Sequence, residues 1–83
     1  ANHIEALNFL GMAYGMTGKN AVAEGSFQKA IQLAPNRTDI LMNLSLCYKN
    51  QGKTQQEANI LRKILAIDPN HQAAKGQLQS IGG

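Results

Sequence analysis

Several absences limit what this chain can do. It has one cysteine, Cys47, in 83 residues, so no internal disulfide framework is open to it. Tryptophan is missing and aromatic residues are 5% of the total, so a core has to be built mainly from aliphatic side chains. Charged residues are only 16%, with eight Lys and Arg against five acids and a formal net charge of +3. The basic residues never run beyond the pair Arg62-Lys63. Nucleic-acid surfaces need clustered cations, so nucleic acid is not an expected partner. No apolar run approaches the ~18 residues of a membrane helix, and direct membrane insertion is not expected. A basic start leading into an apolar stretch is also missing, so no leader is expected within these residues, and the cytoplasm is the default expectation. What remains is ordinary. Hydrophobic residues make up 43%, which with so few charges is not a disordered composition, and the length suits one small domain.

Catalytic and metal-binding patterns are equally sparse. His3, His71 and Cys47 are the soft metal ligands, and they lie far apart in sequence. A zinc site needs about four clustered ligands, so no metal is expected and no cofactor of any kind. The stretch Gly15-Met16-Thr17-Gly18-Lys19-Asn20 looks superficially like a phosphate loop. That pattern requires glycine where Ala13 stands and Ser or Thr where Asn20 stands. Glu5, Glu24, Asp39, Glu57 and Asp68 read as helix-end or surface charges, with no pair forced together for acid–base work. Cys47 falls on an apolar helix face and reads as a small core residue. Asn36-Arg37-Thr38 and Asn43-Leu44-Ser45 fit the glycan acceptor pattern by chance. The chain is not expected to be an enzyme.

The informative signal is an internal repeat. Sliding the sequence by 34 residues brings Leu7 onto Leu41, Leu10 onto Leu44 and Tyr14 onto Tyr48. It also brings Gly18-Lys19 onto Gly52-Lys53, Lys29 onto Lys63 and Pro35-Asn36 onto Pro69-Asn70. Leu44 then meets Leu78, so a third copy has begun. The Asn2-His3 start matches the Asn36-Arg37 and Asn70-His71 junctions, as a junction to a further upstream repeat would.

Within each copy the apolar spacing has a three-to-four period, the mark of helix. Leu7, Leu10, Met12, Ala13 and Tyr14 follow it, and so do Leu41, Leu44, Leu46, Cys47 and Tyr48. A second periodic stretch follows each glycine. Gly18 and Gly52 suit a left-handed residue that ends a helix, and Pro35 and Pro69 stop the next one. Helices are expected over 3–16, 20–33, 37–50, 54–67 and 71–81. Asn2, Asn36 and Asn70 are the expected N-caps, and Thr54 with Glu57 an expected capping box. No segment alternates as a strand does.

Two helices per 34 residues, with these residues at these positions, resembles the tetratricopeptide repeat (TPR). The first copy carries Leu7, Leu10, Gly11, Tyr14, Gly18, Ala23, Phe27, Ala30 and Pro35. The second carries Leu41, Leu44, Ser45, Tyr48, Gly52, Leu61 and Pro69, and departs at Glu57 and Ile64, where the family prefers alanine. The resemblance implies an all-α fold of helical hairpins stacked in a right-handed α-solenoid. It divides a single domain, residues 1–83, into repeat 1 at about 4–37, repeat 2 at about 38–71 and a C-terminal capping helix at about 72–83. Gly11 and Ala30 are expected to let the first hairpin pack closely, while Ile64 widens the second.

The resemblance also implies a protein-binding scaffold. The first helix of each repeat lines a concave groove, which here would comprise Glu5, Asn8, Phe9, Met12, Asp39, Met42, Asn43, Leu46 and Lys49, with Met16 at the end of the first helix, continued by Ala73, Gly76, Gln77 and Ser80. Some TPR domains hold the acidic tail of a chaperone in a clamp of lysines and asparagines. At the five matching positions this chain has Asn8, Met12, Asn43, Ala73 and Gln77, and only Asn43 agrees, so a chaperone-tail carboxylate clamp is not expected. Phe9, Met12, Met42 and Leu46 instead make an apolar stripe, which implies a protein or peptide partner of apolar character. The alternative is self-association into a homo-oligomer, through exposed repeat ends or a swapped hairpin.

Overall fold

The structure, a computed structural model, describes residues 3–82. It consists of α1 (His3–Met16), α2 (Asn20–Leu33), α3 (Thr38–Asn50), α4 (Thr54–Ile67) and α5 (Gln72–Ile81), with no strand among the described residues. Each helix packs on the next in chain order, and α1 also touches α3. This is the all-α helical-repeat solenoid that the 34-residue period implies.

The two hairpin turns have one design. Gly18 and Gly52 adopt φ of 82° and 74°, a left-handed backbone that a side chain resists. That reversal lets Lys19 N–H reach back to the Tyr14 carbonyl and Lys53 N–H to the Tyr48 carbonyl, each at 2.9 Å. The long backward bond satisfies carbonyls that the helix end would otherwise orphan.

Capping at the other junctions departs from expectation. Asn36 and Asn70 lie inside the turns that follow the prolines. The extended residue that opens the next helix is therefore one later, Arg37 for α3 and His71 for α5. Arg37 makes no side-chain cap bond, whereas His71 Nδ1 accepts from the Ala74 N–H at 3.1 Å. Thr54 is already helical, the cap position is Lys53, and Glu57 does not reach back to it. Asn2 lies outside the described residues.

α3 joins two apolar clusters. Ile40, Leu44, Cys47 and Tyr48 pack with Ala23, Phe27 and Ala30 of α2. Leu41, one position round the helix, packs with Leu61 and Ile64 of α4 and Ala74 of α5. Fully burying one such Leu or Ile contributes about 1.5–3 kcal/mol. Equivalent positions differ with their neighbours. Leu44 is 3% exposed against α2, whereas Leu10, its counterpart one repeat earlier, is 45% exposed because no described helix lies beyond α1 on that side.

Small residues set the spacing. A Cβ built on Gly11 would lie 2.6 Å from the Phe27 ring, so the ring occupies the place of that side chain. In the second repeat Ser45 is fully buried, its hydroxyl donating to the Met42 carbonyl at 2.7 Å. Ile64 and Ala58 are also buried, and so is Glu57. That carboxylate accepts from Gln77 Nε2 of α5 at 2.7 Å, which accounts for a charged residue where the family prefers alanine. Away from the groove, Glu24 accepts from Gln51 Nε2 at 2.9 Å and Lys53 Nζ at 3.2 Å, tying α2 to the α3–α4 turn.

Candidate functional site

The groove residues lie on α1 and α3, whose helical period turns Glu5, Asn8, Met12 and Asp39, Asn43, Leu46 toward a shared face. Three zones succeed one another along it. At the N-terminal ends of both helices, Arg37 bridges two acids. Its Nη1 meets Glu5 Oε2 at 2.6 Å, while Nε and Nη2 take the two oxygens of Asp39 at 3.0 and 2.8 Å. The planar guanidinium matches a carboxylate in this two-point fashion. Asp39 first, then Glu5, make the guanidinium hold its proton more tightly. In return Arg37 holds the Asp39 carboxyl below its ordinary range. These side chains are partly exposed, so the triad orients the rim and adds only modestly to stability.

The middle zone is an amide pair. Asn43 Nδ2 donates to Asn8 Oδ1 at 3.0 Å, and Asn8 is buried. Beyond it the face turns apolar. Phe9 is 65% exposed, Met12 43% and Leu46 42%. Between the C-terminal halves of α1 and α3 opens a cleft of about 250 Å³. Met12, Met16, Leu46 and Asn43 form its walls with Gly15, Asn20 and Asn50, and Phe27 and Cys47 lie at its floor. Burial, and then the charge of Glu24, push the Cys47 thiol up, so it stays neutral as a core residue does.

The structure brings most of the sequence-derived set onto one face and sorts its members. Met12, Asn43 and Leu46 share the cleft. Glu5 and Asp39 are drawn together by Arg37. Met42 is half-buried against the second core cluster, and Lys49 is exposed in the last turn of α3. Gln77 turns inward, donating to Glu57 and to Ser45. Sequence reading missed Arg37, Asn20 and Asn50. Arg37 carried a signal in the acid two residues on, but its 32-residue bond to Glu5 had none. Asn20 and Asn50 sit at helix ends, where polar residues are routine.

Helical hairpins stacked around an open face define an α-repeat interaction module. Tetratricopeptide repeat models match residues 4–37 and again residues 38–71. The chain belongs to the tetratricopeptide repeat family. Among similar proteins, mouse sperm-associated antigen 1 is 33% identical over 65% of this chain and 6% of its own length. Human protein O-mannosyl-transferase TMTC1 is 28% identical over 96% of this chain and 9% of its own. A probable UDP-N-acetylglucosamine–peptide N-acetylglucosaminyltransferase, SPINDLY of Petunia hybrida, is 31% identical over 86% and 8%. The chain thus spans less than a tenth of each of these relatives. Among solved structures, the first TPR of Spaghetti (RPAP3) bound to the HSP90 peptide SRMEEVD superposes with a TM-score of 0.88 at 21% identity, over 96% of this chain and 65% of that one. The repeat fold itself is a non-catalytic interaction module, although two of these relatives are named as transferases.

One sequence expectation is corrected here. Five groove positions led to the exclusion of a chaperone-tail carboxylate clamp, and that exclusion does not stand. A TPR of the same fold is bound to an HSP90 peptide. The physical reason is that carboxylate recognition needs donors at points in space, not lysine at given positions. Lys49, exposed in the last turn of α3, supplies a cation outside those five positions, so the lysines missing from them do not exclude such a tail.

Proposed function

We propose that this chain is a non-catalytic scaffold that binds an extended peptide segment of a partner protein along the α1–α3 face. The observation that carries this reading is the apolar stripe. Phe9 is 65% exposed, three residues from Met12 on α1, and Met12 and Leu46, also exposed, share the cleft between α1 and α3. Contiguous exposed apolar surface on a folded protein marks an interaction site more often than not. Met side chains adapt to irregular partners. Glu5, Asn8, Asp39, Met42, Asn43 and Lys49 supply the polar edge and the flank of the groove. The Asn8–Asn43 pair offers amides that suit peptide backbone. A peptide on the first TPR of Spaghetti is a precedent for this class of occupant, and it brings acidic tails within the candidate set.

The test is fluorescence anisotropy against labelled peptides, SRMEEVD and apolar segments among them. Two repeats offer limited contact area, so affinity in the micromolar range, about −8 kcal/mol, is expected. Phe9→Ser with Leu46→Ser should weaken binding at least tenfold while leaving helicity unchanged. Binding that survives both changes would remove the groove from the reading. Sedimentation equilibrium covers the competing occupant. A dimer that dissociates on Phe9→Ser would assign the stripe to self-contact instead.

A further inference from the structure

We propose that the cleft between α1 and α3 is a specificity pocket for one tryptophan side chain of the partner peptide. This deepens the groove reading above and rests on it. The open space comes from Gly15. A Cβ built there would meet nothing within 4 Å, and its φ is not left-handed. Neither packing nor backbone geometry therefore requires glycine, which a helix interior disfavours. Its effect is to keep the cleft wall open. Gly11, one turn earlier, serves a different purpose, admitting the Phe27 ring that forms the floor.

Size and polarity narrow the occupant. A cleft of about 250 Å³ falls below the ~300–1,000 Å³ of sites that enclose whole small ligands, and it suits a single bulky side chain. Among the described residues Cys47 is the one ionisable residue lining it, so a carboxylate or ammonium group would find no counter-charge among them. Asn20 lines the cleft wall, and its side-chain oxygen is buried without a hydrogen-bond partner. An acceptor left unmet calls for a group that brings an N–H. The amide's terminal torsion is soft, so rotation can present the oxygen to the cleft. The indole ring combines a large apolar body with a donor and no acceptor. Leucine, methionine and phenylalanine would fill the space and leave the oxygen unmet.

The test is an NMR titration of the full ¹⁵N-labelled chain with N-acetyl-tryptophan amide, with N-acetyl-leucine amide and the 1-methylindole analogue alongside. The tryptophan probe is expected to shift the Gly15 backbone amide and the Asn20 side-chain amide, and to bind several-fold more tightly than either comparator. Gly15→Leu should abolish those shifts with helicity retained. Asn20→Ala should reduce the tryptophan probe to the level of its 1-methyl analogue. Equal binding of all three probes, or shifts that survive Gly15→Leu, would overturn the pocket. If peptides bind the groove in a Phe9-dependent way but Gly15→Leu changes neither affinity nor side-chain preference, the pocket falls and the groove reading stands. If no peptide depends on Phe9 yet the tryptophan probe still titrates the cleft, the groove reading falls by itself.

Discussion

Two glycines one turn apart on α1 offer an internal control for packing. Changing glycine to alanine in a helix interior gains about 0.8–1 kcal/mol of intrinsic propensity. At Gly15 nothing lies within 4 Å of the new methyl, so that gain should appear in full. At Gly11 the methyl would lie 2.6 to 2.8 Å from three atoms of the Phe27 ring. Ordinary contact begins near 3.4 Å, so ring and helix must part by about 0.8 Å (3.4 minus 2.6). Phe27 is only 2% exposed and has nowhere to go without disturbing Ala23 and Leu44. Overpacking of this kind costs about 1–3 kcal/mol. The propensity gain is common to both variants, so the difference between them isolates the packing cost, about 1–3 kcal/mol. For a chain of this size each kcal/mol moves Tm by about 4–8 °C. Urea and thermal melts followed by circular dichroism at matched concentration would measure it. If Gly11→Ala stabilises the chain as much as Gly15→Ala does, the Phe27 contact does not set the spacing of the first hairpin.

Two further outcomes follow from the polar contacts. Gln77→Ala strips a donor from buried Glu57 and should cost about 1–3 kcal/mol; a double-mutant cycle with Glu57→Ala should be strongly non-additive, and strict additivity would show that the pair is not coupled. Asp39 has a lowered pKa because Arg37 donates to it, so its share of stability is full above the ordinary aspartate value of about 3.9 and is lost only as pH falls through the lower folded value. Its carboxyl carbon, followed by NMR, should titrate with a midpoint below about 3.9 and return toward that value in Arg37→Ala; an unchanged midpoint would dissolve the rim triad.

The helices were legible because their signals are local. Glycine at positions 18 and 52 and proline at 35 and 69 punctuate the chain, and each acts through its own backbone. Helix bounds differ from the sequence reading by at most one residue for that reason. The caps were misread because asparagine is a good cap in isolation, while the turn after each proline consumes Asn36 and Asn70 and hands the cap position to the next residue. Gln77 looked like a groove residue by register. It turns inward because Glu57, 20 residues away in the chain, is buried and needs a donor.

The sequence by itself determined the period, the helices, the hairpin turns and which helix faces are apolar, since all of these depend on residues within a turn or two of one another. Tertiary structure alone decided which of those apolar positions are covered. Leu44 and Leu10 hold the same place in the repeat, yet α2 covers one and leaves the other 45% exposed. It also decided the bond from Arg37 to Glu5, the Asn8–Asn43 pair and the cleft beside Gly15. Burial and reach across helices depend on the neighbour a position meets in space, and a repeat places equivalent residues against different neighbours.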